Sequence, residues 1–468
     1  MRKFLVSLAP ATLAVAVLVA CEADSDPGGG GISFDAGVTD GANDGLLVDA
    51  ATDAVPDAPV VPTVNVTVSG LGGPKANVRI VFHAADGRVI ETKVTDADGK
   101  ATHVGSDATM VSALLAGGGQ RQIVTWTGVE AGDDLQLRDT LPDEAEDIRG
   151  QYNVILTSDF VDAGVAAYWV DGPCGGAPKL GTATGIPVFR RCSHAKNAVL
   201  VTASGNDNIP RGHAFQKGID NISDGSTGVV MIDGWKAPAS FGLTVANAPP
   251  DPDLDSDLLE IADGHGFHNN TGTSNDGSTI DYKTASGFAD AYQATVRKGT
   301  GSRRKGLTTR VAAPATSIAF DHAMFLPTID SSSIDTTNPR RPVVQWTSDE
   351  PTSGADGGIV QFRFNGPDDV SYAWTLVVPP GATKVTTPAM PPEAEAFLPY
   401  AADAGTESTF SQPEVLFVEA STIPSYALFR GQQGTLLDYL GDVLPNESLP
   451  AMPLDGVYRW TSFSPVPR

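Results

Sequence analysis

The chain has 468 residues, enough for about three domains, with 50 Gly and 34 Pro that favour many turns and short strands. It carries 56 acidic against 31 basic residues, a net charge of −25. Such acidity speaks against nucleic acid as a partner and against a flat electrostatic dock on anionic lipid.

The first 21 residues have the three parts of an export signal. Arg2 and Lys3 form a positive start, Phe4 to Ala20 is apolar, and Pro10 interrupts it. The unbroken part, Ala11 to Ala20, is too short to span a bilayer. Losing it would take the net charge from −25 to −27. The ending Leu18-Val19-Ala20-Cys21 resembles the lipobox of bacterial lipoproteins, with Val19 in place of the small or hydroxyl residue usual there. The resemblance implies cleavage before Cys21, acylation of that cysteine and attachment to a membrane, since two or three acyl chains hold where one does not. Glu22, rather than Asp, follows the cysteine, which makes the outer membrane the expected address, on its periplasmic or its surface face.

Residues 22–62 read as a disordered linker. They hold nine acids and no Lys or Arg, with a glycine run at Gly28–Gly31. Too little apolar surface is present to offset the entropy of ordering, and self-repulsion extends the segment.

Residues 63–141 alternate as a small β unit: Val64, Val66 and Val68, then Val78, Ile80 and Phe82, Val89-Ile90, Thr109-Met110-Val111, Ile123–Trp126 and Leu135–Leu137. The turn Thr95-Asp96-Ala97-Asp98-Gly99 resembles one in carboxypeptidase regulatory-like and bacterial Ig-like modules. There the Asp caps the turn and the Gly takes positive φ. The resemblance implies an Ig-like or transthyretin-like sandwich and no peptidase activity.

Residues 142–338 form a central β-rich region. Strands are expected at Asn153–Leu156, Val165–Val170, Ala198–Ala203, Val229–Ile232 and Phe241–Val245, then at Tyr292–Val296 and Thr316–Phe320. With Cys21 assigned to lipid, Cys174 and Cys192 remain as an even pair in an oxidising compartment, and a disulfide between them is expected. It would close a Gly- and Pro-rich loop and contribute roughly 3 kcal/mol in the chain-entropy account. Residues 249–283 break the strand pattern and read as a polar loop.

Residues 339–468 read as a further sandwich, Ig- or fibronectin-like, with strands at Val343–Trp346, Ile359–Phe364, Tyr372–Val378, Val415–Val418, Tyr426–Phe429 and Val457–Phe463. A helix is expected at Leu436–Leu444, where Leu436, Leu437, Leu440, Val443 and Leu444 share a face. The fold class is therefore mainly β: tandem antiparallel sandwiches after a disordered linker.

Candidate sites are sparse. Asp251, Asp253, Asp255 and Asp257 alternate like the first ligands of a Ca²⁺ loop. The pattern then fails, because Ser256 stands where a Gly is needed and Ala262 where a Glu is needed. A structural Ca²⁺ is the one cofactor this suggests, and a solvated acidic stretch is the alternative. His265 and His268, three apart beside Asp263, match neither usual zinc spacing. Arg297, Lys298, Arg303, Arg304, Lys305 and Arg310 form a basic patch that could grip an anionic glycan or headgroup, or simply offset nearby acids. Trp126, Trp169, Trp346, Trp374 and Trp460 fall in strand-like runs and read as core, leaving Trp235 open. The sequence has no G-x-S-x-G, H-E-x-x-H or G-x-x-x-x-G-K-[ST]. The reading is a lipid-anchored envelope protein, not an enzyme, with a binding, adhesion or structural role toward an envelope protein or glycan. The alternative is an envelope hydrolase with its site in the 251–282 region.

Overall fold

A computed structural model describes residues 61–465, apart from 71–72, 118, 140–147, 163, 180, 190–193, 250–253, 270–271, 275–277, 300, 367–369, 402–406 and 432–455. Cys21, Cys192, Asp251, Asp253, nearly all of the linker and the helix expected at Leu436–Leu444 lie outside the described residues. What is described is mainly β, with several sheets and a single short α-helix, Tyr426–Gly431.

Alternating hydrophobic residues build a twelve-stranded sheet from segments far apart in the chain. Its order is His265–Asn269, Leu254–Ala262, Ala291–Lys298, Arg303–Ala312, Val457–Phe463, Glu414–Ala420, Gly357–Phe364, Ser371–Val378, Gln120–Thr127, Met110–Gly117, Arg79–His83 and Val89–Val94. Neighbours are antiparallel except where Ser371–Val378 lies parallel to Gln120–Thr127, with Trp374 opposite Ile123 and Leu376 opposite Thr125. Strands of the 63–141, 142–338 and 339–468 segments are thus hydrogen-bonded into one sheet.

Side chains in a strand alternate between faces, and the middle of this sheet is buried on both. On one face Ile80, Phe82, Val124, Trp126, Val377 and Val418 meet Val64, Val66 and Val68. The latter belong to the small sheet of Thr63–Gly70, Gly73–Pro74, Lys100–Val104 and Asp134–Arg138. On the other face Val81, Leu114, Ile123, Val360, Trp374 and Leu376 meet Ile329, Val344 and Trp346. These come from the sheet Ile329–Asp335, Val343–Ser348 and Lys384–Thr386. That face also buries a polar chain across four adjacent strands. His83 Nε2 lies 3.0 Å from Ser112 Oγ, Ser112 Oγ lies 2.8 Å from Thr125 Oγ1, and Trp374 Nε1 donates to Thr125 Oγ1 at 3.0 Å. All four residues are 0% exposed.

The turn at 95–99 has the geometry its residues require. Asp96 Oδ1 accepts from the backbone of Asp98 and Lys100 at 2.9 Å, and Gly99 sits at φ +72°. A side chain at Gly99 would run into the Val68 carbonyl.

The central segment contains two cores. Ile148–Leu156, Ala183–Phe189 and Ser226–Ile232 form one sheet, packed on the sheet Ala167–Gly172, Gly175–Pro178, Lys196–Ser204 and Pro210–Asp220. Between them lie Tyr152, Val170, Ile186, Val199, Val201 and Val230. In the second, Pro238–Ala246, Thr273–Ser274, Thr279–Ala285 and Ser317–Asp321 cover one face of the long sheet through Phe241, Leu243, Tyr282, Val296 and Leu307. Ala198, Leu200, Phe215, Ala262, Phe267 and Phe288 join the two sandwiches.

Three local expectations are corrected. Tyr426–Phe429, read as a strand, lies in the helix Tyr426–Gly431. Residues 249–283, read as a polar loop, contain the strands Leu254–Ala262, His265–Asn269 and Thr279–Ala285. The acids that disguised the first of these are accommodated on its two faces. Asp255 and Asp257 meet Arg297 on the neighbouring strand, while Glu260 is buried and accepts from Ala285 N and Asn269 Nδ2, each at 2.9 Å. The stretch following Cys174, read as a loop, contains the strands Gly175–Pro178 and Ala183–Phe189.

Candidate functional site

The spacing of three between His265 and His268 acquires meaning once both lie on one strand, because odd spacings point to opposite faces. His265 is 3% exposed and turns inward, its Nε2 2.8 Å from Asn197 Oδ1 and its ring 4.2 Å from that of His194. Burial, with the His194 charge adding to it, lowers its pKa to about 4. It helps to join the two central sandwiches. His268 turns outward, with Nδ1 3.5 Å from Asp257 Oδ2. The two histidines therefore do not share a site.

His268 belongs instead to a group assembled from three separate segments. From the next sandwich comes Trp169, 46% exposed, the exception among the five tryptophans read as core. Trp126, Trp346, Trp374 and Trp460 are buried, and Trp235 is half-buried, donating from Nε1 to Ser158 O at 2.9 Å. Residues two apart on a strand share a face, so Trp169 and Asp171 stand side by side on Ala167–Gly172. The Trp169 indole N–H donates to Asp171 Oδ1 at 2.8 Å. Gly176 is the cross-strand partner of Asp171, and any side chain there would collide with both the indole nitrogen and the carboxylate.

Asp171 is half-buried, and loss of hydration pushes its pKa up to about 6. The Trp169 N–H and the charge of His268 act the other way without cancelling that rise. The pKa of Asp257 moves in the opposite direction. Burial raises it, but hydrogen bonds and charges from His268 and Arg297 outweigh burial and leave it lowered. Arg297 spans Asp255 and Asp257, at 3.5 Å to each. The arrangement offers an exposed aromatic plane fixed by the Asp171 carboxyl, within reach of the charge of His268, which pairs in turn with Asp257. It can stack an apolar ring face and hydrogen-bond its edge groups.

The Ca²⁺ candidates divide. Asp255 and Asp257 belong to a strand and face Arg297, and Asp251 and Asp253 lie outside the described residues. Among the described residues no group of three or more His, Cys, Asp or Glu could hold a metal ion. Within the basic patch, Arg297 pairs as above, Arg303 lies 3.5 Å from Asp330, and Lys298 and Lys305 contact neutral groups. Cys174 is buried, and its Sγ accepts from Phe189 N at 3.1 Å. No described helix is long and apolar enough to cross a membrane.

No family model matches the chain, and no curated protein matches it. Among solved structures, the Bacillus anthracis TIE protein is 11% identical at a TM-score of 0.16, over 56% of this chain and 50% of that one. The FN1–FN3 domains of chicken CNTN1 are 9% identical at a TM-score of 0.13, over 55% of this chain and 84% of theirs. This chain thus spans half the length of the first, and likenesses this slight carry no argument about function.

Proposed function

We propose that this chain is a lipid-anchored protein of the cell envelope, held at the outer membrane through acylated Cys21, whose role is to bind a glycan without chemical turnover. The observation that supports the binding role is the Trp169 ring, exposed yet fixed by Asp171, a carboxyl that in turn feels the charge of His268. Sugars present apolar ring faces for stacking and hydroxyls for hydrogen bonds, and this group supplies both. A ring already held in place loses little entropy on binding. The acidic 22–62 linker would space the site from an anionic membrane. A Cys174–Cys192 disulfide is part of the proposal, supported by the position of buried Cys174 against Phe189, three residues before Cys192.

The test is titration of the full-length protein with chitotetraose, cellotetraose and maltotetraose, followed by tryptophan fluorescence. Trp169 is the most exposed of the described tryptophans, so a stacked sugar shifts and quenches its emission. Binding by at least one oligosaccharide, abolished in Trp169→Ala, is the expected result. A full panel without response, or unchanged binding in Trp169→Ala, overturns the reading. Anchoring is tested by Cys21→Ser, which should release the protein from the membrane fraction.

A second reading, an envelope glycosidase, is favoured by one observation. The environments of Asp171 and Asp257 push their acidities apart, the condition for assigning one carboxyl as acid and the other as base. Release of reducing sugar from a bound oligosaccharide, lost in Asp171→Asn, would establish it over the non-catalytic role.

A further inference from the structure

The second feature lies on the opposite face of the strand that carries Arg297. Lys298 ends Ala291–Lys298 and Lys305 lies near the start of Arg303–Ala312, and the two are directly opposite across the antiparallel pair. Like charges so placed repel. In this protein, where acids outnumber bases by nearly two to one, most cations have a carboxylate at hand. Lys75, Lys93, Lys179, Lys196, Lys217 and Lys283 all do. Among the described residues, Lys298 and Lys305 do not. Lys298 Nζ donates to His322 Nε2 at 2.9 Å, which leaves that imidazole neutral with its proton on Nδ1. Lys305 Nζ donates to Thr328 Oγ1 at 3.2 Å and lies 5.9 Å from the centre of the Phe325 ring. The His322 and Phe325 rings meet edge to face at 5.3 Å. All four side chains are half-buried. Two ammonium groups and an imidazole thus converge against an aromatic wall that limits their hydration.

The surrounding charges do not discharge this group. Asp349 and Glu350 raise the pKa of Lys305 but form no ion pair with it among the described residues, and Asp349 Oδ1 accepts from Thr328 N at 2.7 Å. Asp321, beside His322, is occupied by Asn247 Nδ2 at 3.0 Å and Ala323 N at 2.9 Å. Burial and the neighbouring Lys298 lower the pKa of Lys305, and burial with both lysines lowers that of His322. Each cation is held at a cost that a dianion between them would offset.

We propose that Lys298, Lys305 and His322 form a binding site for a tetrahedral oxyanion of the phosphate or sulfate class, either free or carried on a sugar. The lysines grip two oxygens, and His322 takes up a proton to donate to a third. The site is separate from the Trp169 group and stands or falls independently of it.

Calorimetric titration of the full-length protein with sodium sulfate, against sodium chloride at matched ionic strength, tests the proposal. Sulfate stays doubly charged across the useful range, so its pH dependence reports the protein. Saturable sulfate binding is expected, weakened about tenfold or more in Lys298→Gln and in Lys305→Gln. It should tighten as the pH falls from about 7.5 to about 6, a tightening absent in His322→Gln. Inorganic phosphate and glucose 1-phosphate, compared near neutral pH, separate the free anion from the sugar-borne one. Chloride matching sulfate, or both lysine variants binding sulfate as the wild type does, overturns the proposal. So does pH dependence that survives in His322→Gln. Melting of each variant without anion shows that it folds, and Trp169→Ala should leave sulfate binding unchanged.

Discussion

Replacing Thr125 by Val tests whether the buried polar chain in the long sheet is a working network. Valine keeps the shape of threonine and removes only the hydroxyl. That hydroxyl accepts from Trp374 Nε1 at 3.0 Å and lies 2.8 Å from Ser112 Oγ, and all three residues are 0% exposed. The substitution leaves the indole N–H without an acceptor, while Ser112 retains only His83. An unsatisfied buried N–H costs about 1–3 kcal/mol and the lost Ser112 bond about 0.5–1.5 kcal/mol, so the loss should be about 2–4 kcal/mol. Thr375→Val is the control. Its hydroxyl, on the opposite face, accepts from Gln122 Nε2 at 3.2 Å and Gln361 Nε2 at 3.0 Å, both on half-buried side chains. Those amides can turn to water, so this loss should be about 1 kcal/mol. Urea unfolding followed by fluorescence measures both. In the double variant Thr125→Val/Trp374→Phe the indole donor is gone too. Its cost should fall below the sum of the single costs. A Thr125→Val loss no larger than that of Thr375→Val, or strict additivity in the double variant, would refute the reasoning.

Three further outcomes follow from the charges. His83, His213 and His265 are buried, each with a pKa lowered to about 4, chiefly by desolvation. The unfolded chain therefore binds more protons than the native one between the ordinary histidine value and that point. Each histidine should lower stability by about 3 kcal/mol as pH falls through this window. Asp171 and Glu260, raised to about 6 and about 7, act the other way, so the net fall should be smaller than the three together. Urea midpoints that stay level from neutral pH to about pH 4.5 would contradict this. Arg430, 2% exposed, ion-pairs with Asp133 at 2.8 Å, donates to Gly128 O and covers the Tyr426 ring. Arg430→Ala should cost about 2–4 kcal/mol by leaving Asp133 with only Glu130 N, with Arg430→Lys recovering only part, and a loss below about 1 kcal/mol would show the pair to be idle. Trp169→Phe removes the N–H that stabilises ionised Asp171, so that carboxyl should titrate above its value of about 6. Carboxyl carbon shifts followed through pH report it, and an unchanged or lower value would count against the bond.

Much of the fold was legible because half-buried strands advertise themselves. Val64, Val66 and Val68 alternate in sequence and are all 0% exposed, and Asp96 and Gly99 mark a turn that they make. The strand Leu254–Ala262 is hidden in the sequence because Asp255, Asp257 and Glu260 look solvated until their partners Arg297, Ala285 and Asn269 arrive from other strands. Nor does any local signal announce that Gln120–Thr127 pairs with Ser371–Val378, since register across such a separation is set by tertiary packing. The candidate site was legible in part. Trp-x-Asp at 169–171 and the odd spacing of His265 and His268 carry their geometry in the sequence once a strand is assumed. Trp169 reads as core because it sits in a strand, and a strand alone does not say which face is covered.

The position of Val457–Phe463 bears on when this protein can finish folding. The strand is inserted between Arg303–Ala312 and Glu414–Ala420, and among the described residues it alone connects the two halves of the long sheet. The ribosome makes it after both of its neighbours. Until it arrives, each half presents an open edge, the kind of surface that recruits unwanted strands from other molecules. A nascent chain stalled before this strand should therefore be more prone to aggregation and to proteolysis than one that includes it.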